Sequence, residues 1–215
     1  MQMHNISKVG PTSEEYLQLI RTETGLYTAE ELFEFERARL TELGLAPIGM
    51  FDHLSKSLPK GLFELCPPRP DATSKINWRE LMSRVTFNNN LGECDLDPSY
   101  LKDDLEILTM PSMLSCIEDG RNRLNIKCSA SKDLIKQEGR FPYDIWRGYI
   151  HAVLFTSQLT NHGLDLVASS DEIGLVPRLY LNLKTSQPIL GYYNNEVHSQ
   201  NWGAPSYGKL VREAK

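Results

Sequence analysis

Proton-transfer chemistry needs a titratable group and a neighbour to orient it, and the sequence offers one such juxtaposition near its C-terminus, Glu196 and His198. Two positions apart on an extended segment, both side chains point to one face, where the carboxylate would orient an imidazole acting as a base or a metal ligand. From Thr185 to Gly208, Glu196 is the one charged residue in twenty-four. Around it stand Tyr192, Tyr193, Asn194, Asn195, Trp202 and Tyr207. Such aromatic and amide groups bury cheaply while offering hydrogen bonds, so they suit a pocket for a neutral polar ligand or a protein contact. They equally suit an irregular segment that packs over a sheet and satisfies its own backbone, which is the simpler reading. No third ligand stands at metal-binding spacing and no nucleophile accompanies the pair, so neither a metal site nor an acyl-transfer triad can be assembled, and no cofactor is expected.

Three other constellations can be read chemically. Residues 93–106 hold six acids (Glu93, Asp95, Asp97, Asp103, Asp104 and Glu106) against the single base Lys102, a net charge of -5. The block reads first as a solvated acidic loop, then as a docking surface for a basic protein through Asp95, Asp97, Asp103 and Asp104. A calcium loop starting at Asp95 would lack the turn glycine and the terminal glutamate. Glu36 lies about 40° from Leu32 at 100° per residue, inside the apolar stripe of a predicted helix. A buried acid there would be functional; a partly covered helix would let it reach solvent, and the second reading is favoured. Asp144, Arg147 and His151 fall within about 60° of one another on a third predicted helix. They suggest an acid, an anion clamp and a base, but they lie opposite the apolar stripe and so read better as a solvated ladder of charge pairs.

Cys66, Cys94, Cys116 and Cys128 form no C-x-x-C pair and no disulfide-dense framework, and are expected as reduced thiols, Cys116 and Cys128 as small buried hydrophobes. There is no G-x-S-x-G, G-x-x-x-x-G-K-[ST], G-x-G-x-x-G or H-E-x-x-H, which lowers the odds of the commonest hydrolase, nucleotide-binding and zinc-protease functions. A net charge of -5 over 215 residues disfavours nucleic acid. No signal peptide opens the chain and no apolar run is long enough to span a membrane, so the expected location is the cytoplasm.

The elements that must position these groups follow from capping and periodicity. Thr12-Ser13-Glu14-Glu15 and Thr28-Ala29-Glu30-Glu31 each open a helix, the second closing at Gly44. Residues 59–75 hold four prolines and read as a stiff connection, followed by a short helix from Asn77 and a loop at Asn88–Gly92. The texture then changes. Met113–Glu118 and Leu124–Cys128 flank Asp119-Gly120 as a hairpin, Ser131–Glu138 is a short helix, and Pro142 opens a longer one to Phe155. A strand follows at Leu164–Ala168, and Arg178–Lys184 and Ile189–Tyr193 make a second hairpin. The fold class predicted is α+β, with N-terminal helices followed by an antiparallel sheet of hairpins carrying helices on one face. Three portions are expected, 1–58, 59–112 and 113–215, within what can be one domain.

Ile117-Glu118-Asp119-Gly120, Gly139-Arg140-Phe141-Pro142, Val176-Pro177-Arg178-Leu179-Tyr180-Leu181, and Leu190-Gly191-Tyr192-Tyr193 leading to His198, Trp202 and Gly203 together resemble a bacterial family built on a domain of unknown function. The resemblance spans about residues 113–208. It implies a bacterial cytosolic protein and supplies no cofactor or catalytic residue; the chain departs from the family's small-residue ending at Ala204-Pro205-Ser206-Tyr207. Two functions remain open. One is a non-enzymatic protein-binding module that uses the acidic block, with a small-molecule ligand as an additional candidate in the 192–207 segment. The other is a small cytosolic hydrolase with His198 as base and Glu196 as orienting acid.

Overall fold

The second capping box forms as its residues require. In the computed structural model, which describes residues 21, 25, 28–70, 76–96 and 101–212, Thr28 Oγ accepts the Glu31 N–H at 3.1 Å and the Glu31 carboxylate accepts the Thr28 N–H at 2.9 Å. Helix α1 (Ala29–Glu42) then runs to Gly44, which takes the left-handed φ of +66°. The start of the helix expected from Thr12 lies outside the described residues. Further along are α2 (Trp78–Met82), capped by Asn77, α3 (Cys128–Gln137) and α4 (Ile145–Leu154), capped by Asp144.

Eight strands build two sheets: β1 (Phe63–Cys66), β2 (Glu93–Cys94), β3 (Ser112–Ser115), β4 (Gly163–Asp165), β5 (Leu175–Asn182), β6 (Gln187–Asn194), β7 (Trp202–Gly203) and β8 (Lys209–Val211). The larger sheet has the order β7-β4-β5-β6-β2 and is centred on the expected hairpin, with Arg178 opposite Gly191 and Leu179 opposite Leu190. Its two edge pairings, β6 with β2 and β7 with β4, are parallel, so the sheet is mixed rather than purely antiparallel. The smaller sheet places β3 between β1 and β8. Short ladders join 141–142 to 206–207 and 102–103 to 169–170. The α+β class stands.

Two local expectations are corrected. The proline-rich stretch contains β1, a fully buried strand whose prolines lie outside it, at positions 59, 67, 68 and 70. No hairpin forms at Asp119-Gly120. Strand β3 pairs with β1 and β8 instead, and the residues expected as its return strand run past a 3-10 turn at Arg121–Arg123 into α3, which already starts at Cys128. The turn is redirected because Gly120, at φ +100°, lies against the backbone of Gly203.

Helix α4 contacts β5 of the larger sheet and β1 of the smaller one. One hydrophobic core accordingly draws Leu32 and Leu40 from α1, Phe63 and Leu65 from β1, Tyr149 and Val153 from α4, and Leu179 and Leu190 from the central hairpin. All three expected portions contribute to it.

A Cβ at Gly203 would stand 2.2 Å from the Gly120 carbonyl oxygen and 2.8 Å from its carbonyl carbon, both backbone atoms that cannot swing aside. Gly203→Ala is therefore expected to destabilise the fold by about 1–3 kcal/mol in urea unfolding. An unchanged midpoint would show that this close approach is not required.

Candidate functional site

The predicted catalytic pair is not assembled. Glu196 lies in a turn rather than an extended segment, its backbone N–H held by Asn194 Oδ1 at 2.9 Å, and its carboxylate turns to Lys127 Nζ at 2.7 Å and Ser129 Oγ at 3.3 Å. The lysine's hydrogen bond and charge hold this carboxyl below the usual range. His198 is exposed and forms neither a hydrogen bond nor an ion pair with Glu196. Glu196 instead bridges two residues at the start of α3, where a negative charge meets the positive end of the helix.

The aromatic residues fall into two groups. Tyr207 is buried, stacked on Phe141 at 5.3 Å and edge-on to Tyr143 at 5.9 Å, so it serves the core rather than a pocket. Tyr192 packs half-buried against the same core. Tyr193 and Trp202 cover the guanidinium of Arg178, with 4.1 Å and 3.5 Å from its carbon to the ring centroids. Arg178 is 1% exposed and its Nε donates to Asp165, itself 2% exposed. Arg178 sits on β5, and it is buried because the outer side of that strand is roofed by these rings. Of the amides, Asn194 makes the turn at Glu196, and Asn195 accepts the Cys128 N–H at 3.1 Å through its backbone carbonyl.

The acidic block is likewise divided. The Asp103 carboxylate is bound by Arg69 and Ser169, with its side chain 8% exposed, so it is an internal ion-pair partner and not a free docking charge. Asp104 pairs with Lys132 and Glu106 with Arg212. Glu93 and Asp95 remain exposed; Asp97 lies outside the described residues.

The two constellations read as solvated are the most deeply buried. Asp144, Arg147 and His151 are 2%, 2% and 0% exposed, because α4 is enclosed on all sides. Asp144 accepts the Arg147 N–H at 2.8 Å and pairs with its guanidinium, and burial raises the Asp144 pKa against the opposing pull of that cation. His151 Nδ1 lies 2.5 Å from Glu64 Oε1, while Glu64 Oε2 accepts the Tyr143 hydroxyl at 3.0 Å. Burial alone would push the His151 imidazole down, but the Glu64 carboxylate outweighs it and the net shift is upward. Glu36 is fully buried beside them, accepting the Leu65 N–H at 2.6 Å. Its apolar-stripe position was the available signal. Nothing local in the sequence marks Glu64 as its neighbour.

Two cavities lie elsewhere, along α3. A cavity of about 340 Å³ has Cys128, Val167 and Val176 at its apolar side and Ser129, Ser170 and Asn195 as polar groups. A second, of about 390 Å³, is bounded by Asp104, Leu105, Arg140, Phe141 and Pro142. Lys132 and Lys136 belong to the walls of both. Each volume lies within the range of small-ligand pockets, about 300–1,000 Å³. Cys128 is no nucleophile here: burial, reinforced by Asp165, pushes its thiol up to about 12. Among the described residues no group of three or more His, Cys, Asp or Glu is placed to hold a metal ion, and no helix is long and apolar enough to cross a membrane.

No family model matches the chain, and no curated protein or solved structure matches it either. The chemistry of the α3 groove and the buried pairs therefore stands on its own geometry.

Two measurements follow. Asp165→Ala leaves the Arg178 cation buried without its counter-ion and should cost about 3–5 kcal/mol of stability in chemical denaturation, whereas Asp165→Ala combined with Arg178→Met should recover much of that loss. A double variant no better than the single one would mean the rings, not the charge pair, dominate. Iodoacetamide at mildly alkaline pH should label exposed Cys116 in the native protein and leave Cys128 unmodified until the chain is unfolded, as read by peptide mass spectrometry.

Proposed function

We propose that this chain is a cytosolic protein-binding module whose contact surface is the groove along α3, and that its partner presents an extended acidic segment with interspersed apolar residues. The observation that carries this reading is the placement of Lys132 and Lys136, one helical turn apart, in the walls of two adjoining cavities. Lys136 is exposed and has no ion-pair partner among the described residues. Lys132 is held by Asp104, an intramolecular acid occupying the position that a partner's carboxylate would take. One cavity is floored by the almost fully buried Val167 and Val176, and the other is bounded by Leu105, Pro142 and Phe141, the last 45% exposed. Paired cations between apolar strips favour acids alternating with apolar side chains. Four free cysteines, three of them buried, accord with a reducing compartment.

The acidic-block reading has less support, since Asp103, Asp104 and Glu106 already face Arg69, Lys132 and Arg212. The hydrolase reading loses its orienting acid to Lys127.

The test is fluorescence anisotropy with a labelled peptide alternating Glu and Leu, beside a Lys and Leu peptide of the same length. The Glu-Leu peptide should bind, weaken with added salt, and lose at least about tenfold in affinity, about 1.4 kcal/mol, in the Lys132→Glu, Lys136→Glu variant. Preference for the Lys-Leu peptide would return the acidic block to the front, and binding of neither would remove this proposal.

A further inference from the structure

Glu36 is the least compensated charge-bearing group in the core. Its side chain is 0% exposed, one carboxyl oxygen accepts the Leu65 N–H, and the other, Oε1, has no hydrogen-bond partner among the described residues. The groups around it come from three directions. Strand β1 contributes Glu64 and the Cys66 thiol. Helix α4 contributes His151, bound to Glu64, with Tyr143 just before the helix bound to the other Glu64 oxygen. Behind His151 lie Gln158 and Asp119, the latter already engaged with Arg121 and next to His162. On α1 itself, Arg37 pairs with Glu34 and Asp52 on the partly exposed side of the helix. Among the described residues no cation pairs with Glu36. Among the described residues the cationic groups beside the cluster are already matched, the His151 imidazolium by Glu64 and Arg147, next to Cys66, by Asp144, and a second carboxylate would leave the dry junction with a net negative charge.

We propose that the docking of α1 onto β1 and α4 is coupled to a proton: the helix seats with the Glu36 carboxyl protonated, and the seat weakens as pH rises. Two carboxyls and one imidazole are neutral together only when they hold two protons, and with Glu64 paired to the His151 imidazolium the second falls on Glu36. When α1 lifts away, Glu36 meets water and releases its proton at any pH above the ordinary glutamate range, about 4.3. The docked state thus binds one more proton than the lifted state, so the opening equilibrium shifts toward lifting as pH increases. Burial, aided by the Glu64 carboxylate, raises the Glu36 pKa well above its ordinary value, in the same direction. Lifting would uncover Phe155, on which Phe35 of α1 stacks at 6.3 Å, together with the Leu65 backbone that Glu36 binds. This inference is independent of the α3 groove.

Native-state hydrogen exchange of the α1 amides, corrected for intrinsic exchange chemistry, measures the opening equilibrium directly. In the full chain it should rise about tenfold per pH unit, starting near pH 5.5 and continuing until the docked carboxyl ionises. Glu36→Gln keeps an acceptor for the Leu65 N–H but carries no titrating group, and its α1 opening should be nearly flat over that interval. Equal slopes in both proteins would overturn the proposal. Should Glu36→Gln fail to fold, the wild-type protein still decides: the Glu36 side-chain carboxyl carbon, followed by NMR, should keep its protonated shift at pH 6. An ionised shift there would refute the proton-coupled seat.

Discussion

A helix enclosed on every side must find a partner for each polar group inside the protein, and α4 sets that requirement for the rest of the structure. Asp144 caps the helix and neutralises Arg147. Arg147 reaches the Glu106 carbonyl at 3.4 Å and lies over the Tyr207 ring. His151 takes Glu64 from β1, the Trp146 indole donates to the Pro67 carbonyl at 3.0 Å, and the Tyr149 hydroxyl donates to the Leu81 carbonyl at 3.1 Å. Beyond the helix, these bonds reach three separate stretches of chain, at Glu64–Pro67, Leu81 and Glu106. The proline-rich connection, the acidic segment, α2 and the C-terminal strands are all fixed by what one helix needs in order to be buried. Because an unpaired group in such a position is costly, these contacts specify which segments meet.

The same constraint acts at smaller scale on the outer side of the larger sheet. Arg178 and Asp165 form a second buried pair, and the nearly charge-free segment after Thr185 supplies the rings that shield it. Glu196, the exception in that segment, holds the connection between β6 and β7 to the start of α3 through Lys127 and Ser129. Two rings of that segment, Tyr193 and Trp202, form a lid over an internal ion pair. The flank of α3 that carries Lys132 and Lys136 stays open, and two cavities lie along it.

Local signals were legible where local physics decides. The Thr28–Glu31 capping box, the Asn77 cap, the Gly44 stop and the hairpin of β5 and β6 each depend on residues within a few positions, and each formed as read. The short strand β1 was hidden because its flanking prolines dominate the composition, while its pairing partners stand far away at 112–115. The hairpin at Asp119-Gly120 was misread for the converse reason: its turn residues are real, but Gly120 turns against Gly203, a neighbour more than eighty positions distant.

The sequence by itself determined the α+β class, the helix boundaries governed by caps and the central hairpin, because these rest on periodicity and on side chains that bond to their own backbone. Only the tertiary structure decided which charges are interior. Periodicity can place Glu36 in an apolar stripe and Asp144, Arg147 and His151 opposite one, but it counts just one covered face per helix. Burial on the second face comes from β1 and the segments folded around α4, where Asp144 and Arg147 match each other while His151 is matched by Glu64, a group remote in sequence. Arg178 and Asp165 make the same point. Thirteen positions apart and unremarkable on their strands, they become a pair when β4 lies against β5 and Trp202 closes over them.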